Sequence, residues 1–193
     1  MRNNTINFKK FYQNEQSSII KLFKKTNFSN NFNELLNNGI STIKKGNKII
    51  FFGNGGSAAD AQHLATELTV RFKKNRKAMA AIALTTDTSA LTAIGNDFNF
   101  KYIFSRQMEA IGQEGDLCIA ITTSGNSQNL IEAIKAANKK KISTYCLSGN
   151  GGGKLKEYCH KAILIPSKNT AEIQVIEIFI GQLFCSILEE YCC

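Results

Sequence analysis

The residues best suited to chemistry lie in two short polar loops. The first is Gly53-Asn54-Gly55-Gly56-Ser57, directly after the apolar run Lys48–Phe52. Its glycines free the backbone for a tight turn, and a helix starting beyond it would offer unpaired N–H groups to an anion. Glycine at such a turn can equally serve packing alone. The second loop, Thr122-Thr123-Ser124-Gly125-Asn126-Ser127, carries four hydroxyls in six residues. One would satisfy a helix cap. Four, together with backbone amides, suit a phosphate monoester. No G-x-x-x-x-G-K-[ST] run is present, which excludes a nucleotide P-loop, and no G-x-G-x-x-G follows the first strand.

His63 and Glu67 stand four residues apart in the helical stretch after the first loop. That spacing puts both on one helix face, able to share a metal ion or a substrate. On a bare surface the same pair would be an ordinary hydrogen bond.

The elements that must hold these loops follow from the apolar pattern. Lys48–Phe52, Ala80–Leu84, Asp116–Thr122, Ile142–Leu147 and Ala162–Ile165 are short, continuously apolar runs. Helical patterns follow over Ala58–Phe72, Leu130–Lys139 and Thr170–Glu190. Buried strands alternating with helices predict a parallel sheet covered on both faces, with ligands at the C-terminal strand ends. Upstream, residues 1–16 read as a loose or partly helical arm. From Ser17 to about Lys45 the apolar residues fall in two sets, Ile19, Ile20, Leu22 and Phe23, then Phe28, Phe32, Leu35, Leu36, Ile40 and Ile43. The second forms one helical stripe, with Asn31 and Glu34 spaced for a capping box at its start. Residues 1–47 therefore read as a helical arm of the same domain, and 48–193 as its α/β body.

The motifs recur in a familiar order. GNGGSAADAQH (Gly53–His63), LTTDTSALTAIGND (Leu84–Asp97), FSRQ (Phe104–Gln107), TTSGNS (Thr122–Ser127) and Ile173-Gln174 resemble the SIS domain of phosphosugar isomerases and binders. The finer match is to the phosphoheptose isomerases, over residues 48–190. The resemblance implies a flavodoxin-like, three-layer α/β fold with a five-stranded parallel sheet and N-terminal helices. It implies that Ser57, Thr122, Thr123, Ser124 and Ser127 hold the phosphate, and that Asn54, Gly55, Gly56, Asn96 and Asp97 line the sugar site. His63, Glu67 and Gln174 would bind Zn2+. Glu67 and Gln174 would also touch substrate, Glu67 as catalytic base. The family's second active-site histidine, both metal ligand and acid–base partner, falls on Gln182. An amide can lend a weak oxygen ligand but exchanges no proton near neutral pH. Glu177, three residues after Gln174, faces roughly the same side and is a candidate to compensate.

The implied reaction converts sedoheptulose 7-phosphate to D-glycero-D-manno-heptose 7-phosphate, for lipopolysaccharide heptose synthesis. The implied assembly is a homotetramer with sites at subunit interfaces. A paralogue of these isomerases, the DnaA initiator-associating regulator, offers the alternative of a phosphosugar-binding protein with impaired catalysis and a DnaA-type partner.

Bulk properties bound both readings. With 193 residues and a single proline, Pro166, the chain suits one domain without linkers. The net charge of +9 is densest in Arg71–Lys77 (RFKKNRK), with a smaller run at Lys139–Lys141. Neither interleaves with aromatics as a single-strand platform would, so a nucleic-acid partner is not expected. Cys118, Cys146 and Cys185 lie in or beside apolar runs and read as buried. No C-x-x-C pair, secretory h-region or membrane-length apolar run stands out, and a reducing cytoplasm is expected.

Overall fold

A computed structural model describes residues 7–25 and 29–193 of the chain. Five strands, β1 (Ile49–Gly53), β2 (Ala81–Ala83), β3 (Leu117–Thr122), β4 (Ser143–Ser148) and β5 (Lys161–Leu164), pair in parallel in the order β2-β1-β3-β4-β5. Every residue of β1 and β3 is buried. That is why these runs are apolar throughout rather than alternating. Successive side chains feed opposite faces: Ile49 and Phe51 join one core, Ile50 and Phe52 the other. The strand order reverses between β1 and β3. A crevice therefore opens above their C-terminal ends, at Gly53 and Thr122.

Seven α-helices stand among the described residues: α1 (Phe8–Lys25), α2 (Ser29–Lys44), α3 (Gly56–Thr69), α4 (Thr88–Asp97), α5 (Ser105–Ile111), α6 (Gln128–Lys139) and α7 (Thr170–Cys192). Leu22 of α1 and Phe32, Leu35 and Leu36 of α2 pack with α3 and α7 on one face of the sheet. Met108 of α5 and Leu130, Ile131 and Ile134 of α6 cover the other.

Some local expectations are met and others corrected. Residues 8–16, in the stretch expected to be loose or partly helical, are helical within α1, and residues 1–6 lie outside the described residues. The stripe from Phe32 to Ile43 lies on α2 as expected. Phe28, assigned to that stripe, lies outside the described residues. Asn31 and Glu34 form no capping box. Asn31 donates to the Ala162 carbonyl at 2.9 Å, and Glu34 sits within 3.5 Å of both the Tyr145 hydroxyl and the Lys161 ammonium. The helices α4 and α5 were not anticipated between β2 and β3. Contrary to expectation, α7 is long and apolar enough to cross a membrane. Here it lines the core with Ile173, Ile176, Ile180, Phe184 and Leu188.

Helices α3 and α7 run side by side in the same direction, with contacts along their length. A Cβ on Gly56 would fall inside the Gln174 amide, and one on Gly181 inside the Leu64 side chain. Further on, the Cys185 thiol reaches the Leu64 carbonyl at 3.8 Å. Glu177 is sealed into this seam with 1% of its surface exposed, and neither carboxylate oxygen has a hydrogen-bond partner. Burial, reinforced by the nearby Asp60 charge, pushes its carboxyl up to about 8, against a weak opposing pull from the Thr122 backbone. Between the ordinary value of 4.5 and about 8, the folded protein holds a proton that the unfolded chain has released. Stability is thus greatest below that window and declines as pH rises through it. Glu177→Gln removes this titration. Its melting temperature should match wild type near pH 4.5 and exceed it at pH 8, by about 2–4 °C for each kcal/mol regained. Parallel melting curves for the two proteins across pH 4.5–8 would refute the assignment.

Candidate active site

The crevice at the strand reversal is built from three loops. The first leaves β1 at Gly53, where a Cβ would lie 2.8 Å from both the Ile121 carbonyl of β3 and the Ser57 side chain. Gly55 follows at φ 55°, ψ −120°, a conformation glycine adopts without strain, and caps α3 with no side chain. The Ala58 and Ala59 amides donate to the Gly55 carbonyl at 3.1 and 3.3 Å, which leaves the Gly56 and Ser57 amides at the start of α3 to face the crevice. Ser57 is buried behind it, 3% exposed, and among the described residues its hydroxyl has no hydrogen-bond partner.

The second loop folds partly on itself. Thr122 accepts from the Gly125 amide at 3.2 Å, and Ser124 from the Asn126 amide at 3.2 Å. Ser127 stands at the N-cap of α6 but makes no capping bond. Capping would have used the Ser127 oxygen. Instead, the Thr123 and Ser127 hydroxyls remain without a partner among the described residues, and Ser124 keeps its proton to donate. The third loop, Ser148–Gly153, braces the second. Gly125, at φ 65°, lies so close to Gly152 that a Cβ would overlap it. Leu155 donates its amide to the Gly125 carbonyl at 2.8 Å, and Lys154 donates its amide to the Asn126 side chain at 3.1 Å.

A buried amide pair joins the first two loops. Asn54 and Asn129 exchange hydrogen bonds of 3.0 and 2.8 Å across the reversal. Asn129 is 3% exposed, and it was missed in the sequence. The available signal was its place four residues before Ala133 and eight before Ala137, a polar side chain on the buried stripe of α6.

One wall of the crevice is α3 and α7. His63 Nε2 meets Glu67 Oε1 at 2.9 Å, with the histidine exposed and the glutamate partly so. The same helix face carries Asp60, whose carboxyl is raised by burial and lowered by His63. On α7 the Gln174 amide packs on Gly56, and Gln182, about two turns further on, is half-buried; among the described residues neither side chain has a hydrogen-bond partner. The structure thus gathers Asn54, Gly55, Gly56, Ser57, Thr122, Thr123, Ser124, Ser127 and Gln174 around the crevice, with His63 and Glu67 further along α3.

Asn96 and Asp97 lie exposed at the end of α4, bonded to each other at 2.8 Å. Glu177 is sealed under the Thr122 backbone, so its near-neutral carboxyl is kept from the open crevice and supplies no accessible replacement for a histidine. His160 sits at the far end of the sheet, where its Nδ1 accepts from the Thr144 amide at 3.0 Å.

The comparisons with known proteins agree with this geometry. The SIS domain model matches residues 11–149. The phosphoheptose isomerase of Campylobacter concisus is 55% identical over 149 residues, 77% of this chain and 79% of the relative. That of Aquifex aeolicus is 50% identical over 153 residues, covering 79% and 80%. Among solved structures, the phosphoheptose isomerase GmhA of Neisseria gonorrhoeae superposes with a TM-score of 0.89 at 35% identity, over 95% of this chain and all of that one. The Francisella tularensis phosphoheptose isomerase gives 0.88 at 31%, over 96% of this chain and all of that one. With more than two thirds of its length matched to these relatives, the chain belongs to the phosphoheptose isomerase family of SIS-domain proteins.

Proposed function

We propose that this protein isomerises sedoheptulose 7-phosphate to D-glycero-D-manno-heptose 7-phosphate, in the cytoplasm, as a step toward surface-polysaccharide heptose. The observation that carries this reading is the convergence of a hydroxyl-rich loop, a bare helix N-terminus and the His63–Glu67 pair on one crevice. The six free thiols fit a reducing compartment.

Phosphate would sit between the N-termini of α3 and α6, taking hydrogen bonds from the Ser57, Thr123, Ser124 and Ser127 hydroxyls. Asn54, steadied by Asn129, would orient the sugar chain with Gly55 and Gly56, whose lack of side chains admits it. Glu67 would then remove the proton from the carbon beside the carbonyl and return it to the former carbonyl carbon, while the hydroxyl proton on the first carbon passes to the former carbonyl oxygen within the enediolate, turning ketose into aldose. His63 holds the Glu67 carboxylate in place. Gln182 can hydrogen-bond an enediolate oxygen but cannot relay its proton.

The residues at hand fit Zn2+ weakly. His63 and Glu67 bring one nitrogen and one carboxylate together, and Gln174 and Gln182 add amide oxygens. Among the described residues no three His, Cys, Asp or Glu converge on a metal position. A zinc ion held by this set would polarise the substrate carbonyl.

Assembly as a homotetramer fits the surface. Phe8, Phe11 and Tyr12 of α1 and Val175, Phe179 and Leu183 of α7 are exposed apolar side chains. Light scattering at micromolar concentration should give about four times 21.3 kDa. A monomer would remove this part of the proposal.

The phosphate assignment is tested at two hydroxyls. Ser124→Ala or Ser127→Ala deletes one donor to a dianion, about 1.5–3 kcal/mol, so calorimetric affinity for a heptose phosphate should fall about tenfold or more. Because Ser127 caps nothing, its loss should cost less stability than the roughly 1 kcal/mol of a working cap. Unchanged affinity would return the loop to a merely structural role.

The proton-transfer assignment is tested at Glu67 and Gln182. Turnover should be low in wild type and abolished in Glu67→Gln, where the base is gone and the shape kept. Gln182→His should tighten zinc binding and raise turnover. If wild type shows none, and Gln182→His restores none with zinc bound, the isomerase reading gives way to a phosphosugar-binding regulator of the DnaA-associating kind.

A further inference from the structure

The basic run Arg71–Lys77 is not simply a charged surface. Its Arg76 side chain is 2% exposed and turned inward. There it donates through Nη2 to the Glu67 carbonyl at 2.7 Å, and through Nη1 to the Leu68 carbonyl at 2.8 Å and the Lys77 carbonyl at 3.0 Å. These first two carbonyls belong to the last turn of α3, where a helix leaves its acceptors unpaired and its dipole favours a cation. Through Nε, Arg76 donates to Glu189 of α7 at 3.1 Å. Glu189, also 2% exposed in its side chain, accepts three successive backbone amides, from Phe72, Lys73 and Lys74, at 3.1, 2.8 and 3.0 Å. Every contact of this buried pair is a charge-assisted hydrogen bond, and the planar guanidinium is what spans them.

The pair closes the end of the α3–α7 seam, beyond the Gly56–Gln174 and Leu64–Gly181 contacts. Its grip on α3 falls on the backbone of Glu67 itself. We infer that the Arg76–Glu189 pair is a positioning element, fixing the turn that carries Glu67 against the helix that carries Gln174 and Gln182. The inference rests on the isomerase reading for its catalytic consequence and on the contacts alone for its structural one. Buried as it is, Arg76 acts on Glu67 through the backbone of α3. The phosphate loops lie at the opposite end of α3, so their grip on substrate does not depend on it.

Arg76→Lys tests this in the full-length protein, because an ammonium keeps the charge but cannot span Glu189 and the carbonyls of two successive residues at once. Glu189→Gln is the second variant, keeping the shape and an acceptor for the loop amides while removing the ion pair. In each, kcat for sedoheptulose 7-phosphate should fall about tenfold to a hundredfold, the scale of a misplaced catalytic group, while KM stays within about twofold. Amide hydrogen exchange should quicken over residues 66–74 and stay as in wild type over residues 56–61. The double variant that restores a guanidinium–carboxylate pair in the opposite order, Arg76→Glu with Glu189→Arg, should not rescue, since the α3 carbonyls would then face a carboxylate. A kcat equal to wild type in a folded Arg76→Lys or Glu189→Gln protein overturns the assignment, and so does unchanged exchange over 66–74. Absence of turnover in wild type would instead sink the isomerase reading, and the exchange result would still decide the role of Arg76.

Discussion

The reversal of strand order between β1 and β3 is the constraint on which the rest depends. Two neighbouring parallel strands send their following helices to opposite faces of the sheet, so nothing fills the space above their C-terminal ends. Both loops must leave that edge, and both are followed by helices whose first N–H groups point back toward it. A dianion there meets two helix N-termini and a set of uncommitted hydroxyls. In the proposed phosphate site the backbone would supply much of the affinity and the side chains would tune it. The fold itself shapes the crevice, so such binding would cost little reorganisation.

Keeping such a site open requires bracing from below and behind. Glycine is placed where backbones meet: Gly53 against β3, and Gly125 against the third loop. The Asn54–Asn129 pair ties the two loops through complementary amides, each satisfying the other in a buried place where an unpaired amide would be costly. The hydroxyls left over are the ones a ligand can use. Satisfied polar groups thus form the frame and unsatisfied ones form the site.

Much of this was legible in the sequence because strand burial and loop chemistry are local. All five strands were placed to within a residue or two, since a strand covered on both faces needs an unbroken apolar run. The two loops announced themselves by composition. What stayed hidden depends on tertiary partners. The helices α4 and α5 carry few apolar residues at regular spacing, and α4 buries none of its side chains. Asn31 and Glu34 have the spacing of a cap but find better partners on β4 and β5. Glu177 has the right helical offset from Gln174 to face the crevice, yet the close approach of α3 seals it away. Spacing along a helix tells which face a residue occupies, but not how near the neighbouring helix comes.

The α3–α7 seam shows what that nearness does to charge. Three glutamates lie in or beside it, and each meets a different fate. Glu189 collects three backbone amides and a guanidinium, and although burial would raise its carboxyl, those bonds hold it below the usual carboxylate range. Glu67, at the partly open edge, meets only His63, and so keeps lone pairs available for a substrate proton. Glu177 meets nothing and is driven toward its neutral form. The same residue type on one seam thus becomes an anchor, the base of the proposed reaction and a sealed acid. Hydrogen-bond supply decides among them: a carboxylate rich in donors is fixed and inert, one with a single donor can still react, and one with none gives up its charge.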